Sequence, residues 1–241
     1  MIQIAVISDI HGNLIALKEV LKDIKRRNIS QIYCLGDLVD FAPWGNEVIS
    51  LIKEGGIPCL LGNHDERIAF NLPIVPLSHH DHVETANREL AIKHSKKHIT
   101  SDNKSWLSSL PYNIELTFKL GDSIRRILLV HASLRSNDEY VYELDSKLEM
   151  LKQLKSRSID VLFMGHTHRS FVQRIDKTLF INCGSVGRSK ETDRKASYSV
   201  LTLTADTIKA EIVKIDYNIE YVASEIYASD IPDFYGNFLI K

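Results

Sequence analysis

Residues 2–8 form a nearly unbroken apolar run, the pattern of a strand buried on both faces. Over 13–27 the period becomes helical, with Leu14, Leu17, Val20, Leu21 and Ile24 on one face. Lys22, Lys25, Arg26 and Arg27 close that segment, where a helix dipole favours cations. A second buried strand is predicted over 29–35, a second helix over 46–54 ended by Gly55-Gly56, and a third strand over 58–61. This βαβαβ run implies parallel strands with right-handed crossovers. Residues 66–110 break the pattern. They are polar and rich in helix formers, with Pro73 and Pro76 near the start, and read as a helical insertion beside the site. Strands resume over 112–120, 126–130, 161–164, 171–175, 178–181, 196–204 and 209–215, with a helix over 147–155. Such closely spaced late strands predict a second, partly antiparallel sheet packed on the first.

Length and composition fit this picture. A chain of 241 residues, 44% hydrophobic and 25% charged, suits one α/β domain spanning 1–241. The aromatic tail over 217–241 is expected to dock on that domain, with homodimer contact as its other use, so monomer and homodimer both stay open. Thirty Lys plus Arg against 31 Asp plus Glu leave a net charge of −1, which argues against a strong nonspecific grip on nucleic acid. Three cysteines, none in a CxxC, imply a reduced protein without a disulfide framework. The first strand has no basic leader before it, and no apolar run reaches membrane-spanning length, so a cytoplasmic protein without membrane contact is expected.

The chemistry sits where strands end. Asp9, Asp37, Asn63, His131 and His166 each follow an apolar run by one or two residues, so an α/β sheet would gather them on one edge. Gly36, Gly62 and Gly165 precede three of them and permit sharp turns. Carboxylate, amide oxygen and imidazole together suit manganese, iron, zinc or similar ions. Two ions about 3.5–4 Å apart could hold a bridging hydroxide for in-line displacement at phosphorus.

These segments run Asp9-Ile10-His11, Gly36-Asp37, Gly62-Asn63-His64-Asp65, His131 and Gly165-His166-Thr167-His168. In that order they resemble the calcineurin-like metallophosphoesterase superfamily. The stretches from Asp9 to Leu17 and from Asn182 to Gly187 look like its small bacterial and archaeal phosphodiesterase branch, with Cys183 where relatives commonly carry proline. The resemblance implies a four-layer α/β/β/α sandwich of two mixed sheets flanked by helices. It implies that Asp9, His11, Asp37 and His168 hold one divalent ion. Asp37, Asn63, His131 and His166 would hold the other. Manganese is the first choice, with iron, zinc, nickel or cobalt as alternatives. His64 would contact phosphate and protonate the leaving oxygen, oriented by Asp40.

Two departures narrow the branch. Asp40 stands where purple acid phosphatases place a tyrosine ligand, and Phe41 stands where serine/threonine phosphatases place a phosphate-gripping arginine. Arg188 or Arg194 is the candidate substitute, and Arg188 joins Asn63 and His64 as an expected substrate contact. The expected activity is two-metal hydrolysis of phosphodiesters, on small or nucleotide-like substrates. Hydrolysis of monoesters, phosphoproteins or dinucleoside polyphosphates is the alternative, and a nonenzymatic scaffold is the third reading. His79, His80 and His82, and the helical pair His94 and His98, read as solvated surface, because no acidic third ligand has matching spacing.

Overall fold

Alternation along β1 (Ile2–Ile7) decides the layering. Ile4 and Val6 enter one apolar cluster, Ala5 and Ile7 another, and all four are fully buried. A strand buried on both faces needs cover on each. The structure, a computed structural model, describes residues 1–77 and 81–241.

The first sheet has the order β2-β1-β8-β9, with β2 (Gln31–Cys34), β8 (Ala196–Leu203) and β9 (Ile208–Ile215). β1 and β2 are parallel and joined by α1 (Leu14–Arg26), while β8 runs antiparallel to both of its neighbours. α1 and α2 (Gly45–Glu54) cover the outer face through Leu17, Val20, Ile24, Val48 and Ile49.

The second sheet has the order β3-β4-β5-β7-β6. Its strands are β3 (Asn113–Leu120), β4 (Ser123–Val130), β5 (Val161–Met164), β6 (Phe171–Ile175) and β7 (Thr178–Asn182). β4, β5 and β7 are parallel, and β3 and β6 add antiparallel edges. α6 (Leu148–Ser156) covers its outer face, packing Leu151 and Leu154 against Leu162 and Phe180. Between the sheets, Ile4, Val6 and Leu201 meet Leu129, Phe163 and Ile181. Each such fully buried side chain contributes about 1.5–3 kcal/mol of transfer free energy. The architecture is the expected four-layer sandwich of two mixed sheets.

Three details differ from the sequence reading. Residues 58–61 form no named strand, only a parallel bridge between Cys34 and Cys59. Pro58 has no N–H to give a ladder, and the Leu61 amide turns away to the carbonyl of Pro111 (2.9 Å). The last two strands, β8 and β9, join the first sheet instead of the second. β8 is buried on both faces and places Leu201 between the sheets and Tyr198 toward α1, where its hydroxyl donates to Asp23 (2.7 Å). The helical stretch after the third motif starts earlier than expected, since α3 (Asn63–Ala69) begins on the motif itself.

α4 (His82–His98) and α5 (Ser101–Ser108) follow, capped by the side chains of Asp81 and Thr100. Ile92 and Leu107 from these helices are buried in the α1–α2 cluster. The tail forms α7 (Ile219–Tyr227) and α8 (Asp233–Ile240). Val222, Ile226, Tyr235 and Leu239 share a small core with Phe41 and Ala91, which joins tail, α4 and the loop after β2. Among the described residues, no helix is long and apolar enough to cross a membrane.

Candidate metal centre

Two buried groups of donors lie on the edge where β1, β2, β4 and β5 end. Asp9, His11 and His168 make one, and Asp37, His131 and His166 the other. Within each group the ligand atoms lie within 4.8 Å of one another. Asp37 Oδ2 is 3.7 Å from His11 Nε2 and 3.4 Å from His131 Nε2, so one oxygen faces both groups. Asn63 Oδ1 reaches His131 Nε2 (3.1 Å) and His166 Nδ1 (3.0 Å).

The backbone aims these side chains. Asp9, His11, Asp37, His166 and His168 all have left-handed φ values, between 50° and 64°. Asp and His tolerate that region better than most residues, yet such conformations cost of order 1–3 kcal/mol each. Close approach adds a second demand. A Cβ on Gly62 would collide with the amide and carboxylate of Asp37, and one on Gly165 with Ser8 and Asp9. At these two glycines the need is space rather than a positive φ.

Hydrogen bonds then fix each donor's free face. The Nδ1 atoms of His11, His131 and His168 pair with the carbonyls of Val39 (3.0 Å), Leu35 (2.9 Å) and Arg188 (2.7 Å), which leaves Nε2 turned inward. Asp9 Oδ2 accepts from Ser8 Oγ (2.6 Å) and the His166 amide (3.0 Å). Asp37 Oδ1 accepts from the His64 amide (2.8 Å). The opposite oxygens, Asp9 Oδ1 and Asp37 Oδ2, are buried without a hydrogen bond, as is His166 Nε2. Buried acceptors left unpaired beside imidazoles fit divalent cations. Burial pushes His11 down to about 3 and His166 down to about 4, so both are neutral and ready to ligate. His131 behaves differently. Burial disfavours its charge, but the Asp37 carboxylate overrides this and raises it to about 10.

His64 stands beside the groups. Its Nδ1 meets Asp40 Oδ2 at 2.6 Å. Burial pushes Asp40 up to about 7, opposed by the hydroxyl of Ser95 on α4, and burial with Arg67 pushes His64 down. Asp65, quoted in the third motif without a role, proves structural to the site. Its carboxylate accepts from the amides of Asp37 (2.7 Å), Leu38 (2.8 Å) and Gly62 (3.2 Å), tying the second and third motif loops together. The segment 182–187 packs on the first motif, with Gly187 N donating to Asp9 O (3.0 Å). Cys183, in the place of proline, donates its amide to Met164 O (2.9 Å), a bond proline cannot make.

Asp37, His64, His166 and His168 floor a cavity of about 50 Å³ walled by Glu84, Arg88, Tyr140, Arg188, Lys190 and Tyr235. Asn63 and His131 open instead onto a groove of about 780 Å³. Arg188 lies over the rings of Phe41 (4.3 Å), Phe238 (4.7 Å) and Tyr235 (5.4 Å), so the tail supplies part of the wall. Arg88, Lys190 and Tyr235 carried no sequence signal for the site. Arg194 sits over Phe238 (4.2 Å) and does not line the cavity.

Away from the cavity, His94 and His98 come together with Asp230, an acid that the sequence spacing did not bring near them. His82 is exposed at the start of α4, and His79 and His80 lie outside the described residues.

The sandwich and its paired His/Asp groups define a class, and the comparisons agree with it. The calcineurin-like phosphoesterase superfamily domain matches residues 2–206, and the chain belongs to that superfamily. The chain is 31% identical to the uncharacterized protein MJ0912 of Methanocaldococcus jannaschii, over 98% of this chain and 96% of that protein. Its fold is similar to that of hypothetical protein PH1004 from Pyrococcus horikoshii (TM-score 0.81, 21% identity, 99% and 98% of the chains). It is also similar to that of a metallophosphoesterase from Sphaerobacter thermophilus (TM-score 0.76, 23% identity, 99% and 98%).

Proposed function

We propose that this chain hydrolyses phosphodiester bonds with the help of two divalent metal ions. The supporting observation is the pair of buried donor groups that meet at Asp37 Oδ2. Asp9, His11, Asp37 and His168 would hold one ion, and Asp37, Asn63, His131 and His166 the other. Ions held there would activate water and stabilise the charge of an in-line displacement at phosphorus. Manganese is the first choice among ions that accept these nitrogen and oxygen donors.

The chain's own groups do the rest. Asp40 at Nδ1 orients the His64 ring. With the shared proton on Asp40, the ring would carry a hydrogen on Nε2 to give the departing oxygen while Nδ1 takes the proton of Asp40. Arg188, held over aromatic rings, would contact the substrate. Cleavage of nucleotide pyrophosphate linkages is a second reading, favoured by the cations on the cavity wall.

The test is turnover of bis-p-nitrophenyl phosphate by stripped protein reloaded with single metals. Activity should appear with manganese and vanish with chelator. His64→Ala should keep its metal content and slow turnover by about 10²–10⁴-fold, the scale of a lost general acid. A folded sample inactive with every divalent metal would end the reading, and metal loss in His64→Ala would overturn that residue's role.

A further inference from the structure

Three cations line the 50 Å³ cavity, and the two donor groups use none of them: Arg88 from α4, and Arg188 and Lys190 from the loop after β7. Apart from Asp37, the only carboxylate on its wall among the described residues is Glu84. Three cations against these two carboxylates leave the lining a surplus of one positive charge.

Their supports matter. Arg188 rests on Phe41, Tyr235 and Phe238, and its Nε is buried without a hydrogen bond. Lys190 Nζ lies 5.6 Å from the ring of Tyr140. Arg88, only 5% exposed, donates Nη1 to the carbonyl of Val75 (2.9 Å). Aromatic faces and carbonyls hold a cation in place without cancelling its charge, so the charge stays available to an anion.

We propose that Arg88, Arg188 and Lys190 form an anion subsite for a second phosphate group, adjacent to the phosphate being cleaved. The substrate class is an organic molecule carrying two or more neighbouring phosphates. This rests on the second reading above, cleavage of pyrophosphate linkages, and deepens it. Relative size supports the assignment: the cavity is about 50 Å³ and the adjoining groove about 780 Å³, so the bulky part of a substrate fits the groove. The 780 Å³ groove shares Arg88 and Leu77 with the cavity and is also lined by Tyr112, Arg135 and Arg157. A scissile phosphate at the donor groups, which border both spaces, places its small anionic substituent in the cavity and its bulky one in the groove. His64 faces the cavity, so the phosphate-bearing fragment is the one that leaves.

The experiment uses the full chain stripped of metal, because polyphosphates chelate free ions. Calorimetric titrations compare inorganic monophosphate with pyrophosphate at low salt. Pyrophosphate should bind at least about tenfold more tightly, the scale of one added charge-assisted contact. Lys190→Met, checked by its melting curve, should lose about tenfold in pyrophosphate affinity and much less for monophosphate, and Lys190→Arg should restore the difference. Equal affinity for the two anions, or equal losses in Lys190→Met, overturns the subsite. The two proposals fail separately. A protein that discriminates pyrophosphate but cleaves no phosphoester keeps the subsite and loses the enzymatic reading. One that cleaves diesters without discrimination loses only the subsite.

Discussion

The strand-end edge and the helical wall face the same cavity but are built in different ways. On the edge, Asp9, His11, Asp37, His166 and His168 sit in strained backbone, and main-chain carbonyls lock the rings of His11, His131 and His168. The wall comes from remote pieces: Arg88 on α4, and Tyr235 and Phe238 on α8. Side-chain packing around Phe41, Ala91 and Val222 brings them there. Rigid main-chain placement suits a metal pair, which tolerates little misalignment. Packing of helices on a rim can vary without disturbing the donor groups, so under the proposed function the edge would set the reaction and the wall the target.

The sharpest way to break this division is Asp37→Asn. Among the described residues Asp37 is the one carboxylate paired with histidines of both donor groups, and it also anchors the amide of His64. The variant should lose metal, seen by elemental analysis, and lose about 10³-fold or more in turnover on every substrate alike, because the ions supply several kcal/mol of stabilisation. A variant that stays active on one substrate and fails on another would show that the edge also chooses targets.

That division also explains what was legible in the sequence. Asp9, Asp37, His131 and His166 could be read because strand periodicity places each of them locally, while His11, His168, His64 and Asp40 were legible through the order of the family's motifs. The wall was silent because Arg88, Lys190 and Tyr235 reach the cavity through tertiary packing between segments far apart in the chain. Asp230 beside His94 and His98 was hidden in the same way. The misread strand at 58–61 and the placement of β8 and β9 have another cause. Apolar runs report burial, and the choice of sheet partner lies in long-range pairing that periodicity does not encode.

A smaller effect sharpens the comparison from the other side. Phe238 underlies both Arg188 and Arg194 but touches neither donor group. Phe238→Leu removes two cation–π contacts, of about 0.5–2 kcal/mol each. KM should rise roughly 3–10-fold with kcat little changed and metal content intact. A fall in kcat together with metal loss would mean that the wall props up the edge and the two are not separable.

The smallest effect separates the donor groups themselves, in chelator-treated protein. His11 and His166 are held near 3 and 4, with His64 and His168 also lowered, all chiefly by burial. Below pH 6.5 the unfolded chain binds protons that these folded histidines refuse, so stability falls as pH falls. Asp40 at about 7 and Asp65 at about 8 act in the opposite sense there, but two carboxyls do not cancel four histidines. Above pH 6.5, the folded state holds a proton on His131 up to about 10, and one on Asp65 up to about 8, that the unfolded chain has lost. Stability then falls as pH rises. Metal-free protein should therefore be most stable near pH 6.5, declining by about 1.4 kcal/mol per pH unit for each net proton on either flank. Metal ligation takes the proton from His131, so binding at pH 8 should release protons, measurable from heats in buffers of different ionisation enthalpy, and should flatten the alkaline flank. A metal-free protein whose stability keeps rising from pH 6.5 to 9 would place His131 neutral before metal arrives, and the two donor groups would then be equivalent.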